Sequence, residues 1–376
     1  MSQPQDSTTD VPPITSVMFE GPGIIGLQTR PSRPLEKDEF FVRTLYSGIS
    51  AGTELTFFMG TNPHTNEGWD KERRIFRGDI EPTLRSTYPK RDGYMESAVV
   101  TQSRNPNVLE GTRIAGKYGH ADGYIMTADD FWVPLPDDLD EVVGIWANQM
   151  GPICMNGILY AADEVQRKPL KTLQGSLTGQ RVIVFGAGIV GLLCGMFAKW
   201  AGASEVIIID AIAERLNVAE KLGLSAYHAS VDLPIVIKDH WRAEKSEDSG
   251  ADITLQCTGS TYLLSQALSC LKVQGTVIDL GFYQQGAHDV FLGKEFHHNI
   301  LRHVCAQIGK VPYHQQGPWN RQRLSEETIA FLREQGGMLK RHLITHEIPF
   351  SKAQQMFERL EQRDPTIMQA VLFPDK

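Results

Sequence analysis

The chain has 376 residues, 41% hydrophobic and 22% charged, an ordinary balance for a soluble globular protein of about two domains. Lys and Arg number 37 against 45 Asp and Glu, giving a formal charge of −8. That balance argues against a nucleic-acid partner, which calls for a basic face to displace phosphate counterions. The longest apolar stretches, such as 182–185 and 206–209, fall far short of the ~20 residues that span a bilayer, so no membrane partner is expected.

Residues 1–13 are polar, contain Asp6 and Asp10 without an Arg-flanked apolar core, and read as a disordered lead-in, not a signal peptide. Runs 16–19, 39–46 and 96–101 are β-compatible and separated by Pro and Gly clusters. Segment 57–91 is rich in Gly, Pro, aromatic and charged residues, with weak periodicity. Its Phe57, Phe58, Trp69, Phe76 and Tyr88 predict an ordered pocket wall. Near residue 145 the texture changes to a buried helix over 145–162 and a polar linker over 172–179. Strands are then predicted at 181–185, 205–210, 253–256 and 276–280, alternating with helices at 189–201, 213–222 and 263–271. Such alternation predicts a parallel, doubly wound α/β sheet. Beyond 312 come helices over 325–335 and 351–362, the second N-capped by Ser351, and extended runs over 344–348 and 367–373. The five cysteines, with no Cys-x-x-Cys pair, read as buried thiols of a reducing cytoplasm.

The sharpest motif is Gly186-Ala187-Gly188-Ile189-Val190-Gly191, which follows an apolar strand and opens a helix. The first glycine permits the tight turn, the second lets backbone approach a pyrophosphate, and the third lets helix and strand pack closely. Asp210 closes the next apolar strand, 19 residues after Gly191, where a carboxylate accepts both adenosine ribose hydroxyls and repels a 2′-phosphate. No Lys or Arg intervenes before Arg215. The predicted cofactor is therefore NAD(H), not NADP(H).

The unit sits mid-chain, behind a β-rich domain. Segments 46–54 (Tyr-Ser-Gly-Ile-Ser-Ala-Gly-Thr-Glu), 111–114, 119–121, 186–191 with Asp210, 250–252, 257–259 and 274–277 with Gly281 resemble the medium-chain dehydrogenase/reductase superfamily, of the zinc alcohol dehydrogenase type. The resemblance implies a β-rich GroES-like catalytic domain over 14–150 and 313–376 and a Rossmann NAD-binding domain over 151–312. It also implies that Cys257, Thr258, Gly259 and Gly281 lie along the cofactor, and that the protein is a homodimer or homotetramer.

Departures from the family pattern bear on the metal. Ser50 stands where zinc members carry a cysteine ligand, and Gly93-Tyr94-Met95 stands in place of Gly-His-Glu. The third ligand would fall near 152–154, where Cys154 alone cannot hold a catalytic zinc that needs three ligands. The four-cysteine structural-zinc lobe is absent. No zinc is expected, and the form 47–54 with Tyr88-Pro89 and Gly93-Tyr94 is similar to a zinc-less branch that includes bacteriochlorophyllide-type and sugar or polyol dehydrogenases. Without a Lewis acid, hydrogen-bond donors and acid/base groups must handle the developing alkoxide. His120 is the preferred general acid/base, with Thr53 as relay, Tyr94 as phenolic donor and Glu54 as orienting group. Ser50, Trp69, Tyr94 and His120 are the candidate substrate contacts, and His64 and Arg91 lie in the stretch expected to cover the substrate. His297, His298 and His303 do not share a helix face and are read as packing or solvated residues.

The expected function is zinc-independent hydride transfer between NAD(H) and a secondary alcohol or ketone, plausibly a sugar, cyclitol or polyol. Two other readings stay open: a zinc-less quinone or enone double-bond reductase, and a non-catalytic NAD(H)-binding redox sensor.

Overall fold

The computed structural model describes residues 11–62, 67–81, 87–284 and 286–375. Residues 1–10 of the expected lead-in, and His64, lie outside the described residues. Residues 11–13 depart from the expectation of disorder: Val11 is buried with Leu35 and Phe41, and the Pro12 carbonyl accepts the Ser32 hydroxyl at 2.6 Å. The described residues form two compact units, one drawn from 11–148, 346–364 and 370–375, the other from 149–345 and 365–369.

The first unit is built from short strands. β1 (Ile14–Gly21), β2 (Ile24–Arg30) and β3 (Phe40–Gly48) lead into helix α1 (Ala51–Phe58). A hairpin of β4 (Gly68–Asp70) and β5 (Ile75–Arg77) follows, then β6 (Lys90–Arg91), β7 (Glu96–Ser103), β8 (Arg113–Gly116), β9 (Gly123–Met126) and β10 (Val133–Pro134). β2, β1 and β6 form one antiparallel sheet, and β3 pairs antiparallel with both β7 and β9 in a second. Phe40, Val42, Ala98, Val100 and Ile114 fill the core beneath that second sheet. A register shift between Thr44 and Tyr46 then sets Ser47 opposite Glu96.

The second unit starts at α2 (Met150–Gln166). It continues through β11 (Arg181–Phe185), α3 (Ile189–Trp200), β12 (Glu205–Asp210), α4 (Ala213–Lys221), β13 (Ser225–His228) and α5 (Leu233–His240). β14 (Ala251–Gln256), α6 (Thr261–Ser269), β15 (Leu271–Asp279), α7 (Glu295–His298) and β16 (Arg302–Cys305) complete the alternation. All five strand pairings are parallel, in the order β13-β12-β11-β14-β15-β16. Numbering these strands within their own sheet gives 3-2-1-4-5-6, the Rossmann order, with its switch point between β11 and β14. Val182, Ile183, Val184 and Phe185 have no exposed surface, because a parallel strand covered on both faces must be continuously apolar. Each such side chain contributes about 1.5–3 kcal/mol of burial.

Helix α8 (Arg321–Leu343) corrects two expectations. It starts earlier than predicted because the Asn320 side chain accepts from the Arg323 N–H at 2.9 Å. It runs on through Gly336-Gly337 because Leu332, Leu339 and Leu343 keep one buried stripe. Segment 313–345 was expected with the β-rich domain and belongs to the Rossmann unit: α8 packs on α2 and α3, with Phe331 edge-on to Phe197 at 4.6 Å. The chain then closes with β17 (Ile344–Pro349), α9 (Ala353–Glu361) and β18 (Gln369–Phe373), the last pairing antiparallel with β3. Ser351 is not the N-cap of α9. Its hydroxyl and N–H bond Asp375, and Lys352 holds the cap position.

Candidate active site

The glycine turn connects β11 to α3. Gly186 has φ of +104°, and a Cβ on it would meet Thr258 Cγ2 at 2.7 Å. A Cβ on Gly191 would lie 1.7 Å from the Gly186 carbonyl oxygen, so only glycine fits there. Gly188, the N-cap of α3, is different: a Cβ there meets nothing within 4 Å. That open approach to a helix N-terminus suits a diphosphate. Asp210 ends β12 and organises the turn, its Oδ2 accepting the Ala187 N–H at 2.7 Å and its Oδ1 the Ile212 N–H at 2.9 Å. Each carboxylate oxygen retains a second lone pair for a ribose hydroxyl.

Arg215, two residues into α4, has its Nε buried without a hydrogen-bond partner among the described residues. Ile189 and Val190 form the first turn of α3, and Cys257, Thr258 and Gly259 follow the end of β14. Gly281 follows β15 and packs so tightly that a Cβ would sit 2.2 Å from the Thr258 oxygen. These groups converge at the carboxyl ends of the strands flanking the switch point, and the open Gly188 cradle with the orphaned Arg215 nitrogen fits a dinucleotide. Sequence reasoning missed Asp279 at the same strand ends. It accepts from Gly281 N–H at 2.8 Å, from Tyr283 and from His303 Nε2 at 2.7 Å.

In the first unit the candidate acid/base residues gather around α1. Ser50 is its N-cap residue but makes no side-chain cap bond. Glu54 reaches back, its Oε1 accepting the Ser50 N–H at 2.7 Å, which leaves the Ser50 hydroxyl free to pair with the Tyr94 phenol. Burial pushes the Tyr94 phenol up to about 12, against the opposing pull of hydrogen bonds from Ser50 and Thr53. Tyr94 therefore stays protonated near neutrality and acts as a donor.

Behind this hydroxyl pair lies a closed chain of ionisable groups. His120 Nε2 is 2.8 Å from Glu54 Oε2, and its Nδ1 is 2.6 Å from Ser47 Oγ. Ser47 donates its one hydroxyl proton to Glu96 Oε1 at 2.9 Å, so it must accept from His120 Nδ1. With Nε2 facing a carboxylate, both ring nitrogens are donors and the ring is an imidazolium. Burial alone would strip that proton; the Glu54 carboxylate, with Glu96 and Asp92 behind it, outweighs burial and holds the His120 pKa above the ordinary histidine value. Burial likewise raises the Glu96 pKa, partly offset by His120 and by the Tyr118 N–H, which donates to its Oε2 at 2.9 Å. Gly93, at φ +106°, admits the ring: a Cβ there would come within 2.9 Å of His120.

His120 and Glu54 have no exposed surface, and each of their side-chain polar atoms is engaged within this chain. In this arrangement Glu54 holds the Ser50 backbone, and the His120–Glu54 pair lies behind the Ser50 and Tyr94 hydroxyls. Neither Ser47, quoted only as part of the 46–54 motif, nor Glu96, part of a β-compatible run, was named from the sequence as a site residue. Trp69 lies in the β4–β5 hairpin, edge-on to Phe76 at 4.9 Å. The Arg91 guanidinium lies over the Tyr124 ring.

The residues at the family's zinc positions do not fit zinc. Ser50 and Tyr94 offer hydroxyls bonded to each other, where the ion calls for thiolate, imidazole or carboxylate. Met95 is fully buried against Gly48, and the Cys154 thiol donates to the Val190 carbonyl at 3.6 Å. Among the described residues no three His, Cys, Asp or Glu side chains are grouped to hold a metal ion, and no helix is long and apolar enough to cross a membrane.

Residues 190–305 match a family described as zinc-binding dehydrogenase. The chain is 29% identical to D-guloside 3-dehydrogenase of Escherichia coli over 352 residues, covering 92% of this chain and 95% of that protein. It is 28% identical to D-xylulose reductase of Saccharomyces cerevisiae over 163 residues, 43% of this chain and 42% of that one, so this likeness spans less than half of either. In fold it is similar to 2R,3R-butanediol dehydrogenase from Bacillus subtilis, with a TM-score of 0.73 at 17% identity over 96% of this chain and 100% of that chain. Sheet order and glycine turn are those of a Rossmann unit, and these likenesses make the chain similar to oxidoreductases of the medium-chain dehydrogenase/reductase superfamily.

Proposed function

We propose that the protein is a zinc-independent, NAD(H)-dependent dehydrogenase acting on a secondary alcohol, or the matching ketone, of a polyhydroxylated substrate such as a sugar, cyclitol or polyol. The observation that carries this reading is the Ser50–Tyr94 hydroxyl pair, with Thr53, anchored on the buried Glu54–His120 pair at the family's metal position. When bound, the nicotinamide supplies the hydride acceptor or donor. The chain's own residues handle the oxygen: Tyr94, kept protonated, donates to the carbonyl or alkoxide oxygen, and in the oxidising direction the hydroxyl proton passes through the Ser50 and Thr53 hydroxyls to solvent water, which exposed Thr53 meets. Glu54 and His120 fix the Ser50 backbone and thereby the direction of its hydroxyl. Asp210 selects NAD(H), since its carboxylate repels a 2′-phosphate. D-guloside 3-dehydrogenase, similar over nearly the whole length, supports a polyhydroxylated substrate. The family resemblance carries with it a homodimer or homotetramer in a reducing cytoplasm.

The test is coenzyme reduction by metal-stripped protein with a panel of glycosides, cyclitols and polyols, run with NAD+ and NADP+ in parallel. The expected outcome is turnover of at least one polyol with NAD+, faster than with NADP+ and unchanged by added zinc. Activity that appears only on adding zinc would overturn the mechanism, and NADH binding without any turnover would favour a redox sensor.

A further inference from the structure

Away from both sites, one face of the β2–β1–β6 sheet has an unusual charge. Antiparallel register sets Ile14 opposite Arg30, Ser16 opposite Gln28 and Met18 opposite Arg91. Residues 14, 16 and 18 of β1 share a face, so Arg30 and Arg91 lie at the two ends of one stripe. A cavity of about 580 Å³ covers it, lined by four cations, Arg30, Arg33, Lys90 and Arg91, and by no carboxylate among the described residues. On a chain of net charge −8 this is a local reversal of sign.

Two of the cations are already answered. Arg33 forks onto Glu39 with two bonds of 2.6 Å, and Lys90 pairs with Asp92 at 3.0 Å. Arg91 and Arg30 make no ion pair among the described residues. The Arg91 guanidinium lies over the Tyr124 ring, 5.4 Å from its centroid, with only a 3.5 Å contact to Ser16 Oγ. Its stem is held against Gly119, where a Cβ would come within 2.9 Å of Arg91 Cγ. Stacking and stem packing thus hold a guanidinium fork at the cavity without a counter-ion.

We propose that this cavity binds a small organic anion through its oxyanion group, a phosphate ester or a carboxylate. Arg91 grips the anion in the bidentate manner of guanidinium, Arg30 adds charge from the opposite end, and the body of the ligand lies along the half-buried Ile14 and Ile125 of the lining. The volume falls within the roughly 300–1,000 Å³ usual for small-molecule sites. This site is separate from the Ser50–Tyr94 pair and stands whether or not the proposed dehydrogenase activity does.

Calorimetry on the full chain at low ionic strength tests it, with glucose 6-phosphate, gluconate and uncharged glucose as probes. Saturable binding of either anion with Kd near or below ~1 mM, and none of glucose, is expected. A stronger response to glucose 6-phosphate assigns a phosphate ester, and a stronger response to gluconate a carboxylate. Arg91→Gln weakens binding by about tenfold or more, the loss of one charge-assisted bond. Arg30→Gln, on an exposed side chain that folding does not need, weakens it by a smaller factor. Failure of both anions to saturate, equal binding of glucose, or affinity unchanged in both variants overturns the proposal.

Discussion

Replacing Glu54 by Gln keeps the shape of the buried chain and removes one charge from it. Both Glu54 oxygens are acceptors, one from the Ser50 N–H at 2.7 Å and one from His120 Nε2 at 2.8 Å, in a site with no exposed surface. Glutamine has a single acceptor oxygen, so its NH2 group must face one of those two donors. Against Ser50 the clash of two donors cannot be relieved. Against His120 it is relieved only if Nε2 gives up its proton and accepts, leaving a neutral ring that still donates from Nδ1 to Ser47. The charge-assisted bond lost contributes about 1.5–3 kcal/mol, and opening a buried ion pair outright costs about 3–5 kcal/mol. Because a neutral bond of about 1 kcal/mol survives, the variant should be destabilised by about 1–3 kcal/mol in denaturant unfolding at pH 7 without coenzyme. A second readout is the imidazole resonance of His120 followed against pH. In the parent protein the ring titrates above the ordinary histidine value; in the variant, burial acts without its counter-charge and the ring titrates below it. A cost under ~0.5 kcal/mol, the size of an ordinary surface substitution, or a His120 titration that does not move, would refute the imidazolium assignment.

Since the folded state raises the His120 pKa, its contribution is full below the unfolded value of 6.5 and is lost as pH rises through the folded value. The urea midpoint should therefore decline as pH rises above 6.5, and a flat or rising profile contradicts the assignment. Gly188→Ala should leave stability within about 0.5 kcal/mol, because its Cβ meets no protein atom, yet weaken NADH binding by about tenfold in a fluorescence titration. Gly191→Ala, by contrast, should lower the unfolding midpoint as well, since its Cβ collides with the Gly186 carbonyl; equal behaviour of the two variants would count against the diphosphate cradle. Tyr94→Phe should cut turnover of an active polyol by about 10²–10⁴-fold, the usual weight of a proton-handling group, while NADH affinity stays within about twofold.

The Rossmann half was legible because its signals are local. A parallel strand such as Val182–Phe185 must be apolar throughout, and the turn after it must carry glycine where Gly186 and Gly191 stand, so sequence and geometry coincide within a few residues. The β-rich half was harder to read. α1 was not among the elements expected from the sequence, because Gly52 interrupts it and its buried face is marked by a charged Glu54 beside Phe57 and Phe58. Ser351, a good cap by residue type, was drawn away by Asp375, which no local pattern announces. The candidate residues His120, Glu54, Tyr94 and Ser50 were named from the sequence, with His120 as general acid/base, but not their division into a buried ion pair and a hydroxyl pair. That division depends on contacts spanning 66 residues from Glu54 to His120 and 49 from Ser47 to Glu96. Ser47 and Glu96 show how such a contact hides: each occupies one slot of an alternating strand, and only the register of β3 against β7 makes them neighbours. Burial then sets the roles. The enclosure that holds Tyr94 protonated also denies His120 access to solvent, so in the proposed mechanism the hydroxyl is the group that acts and the charge behind it holds that hydroxyl in place.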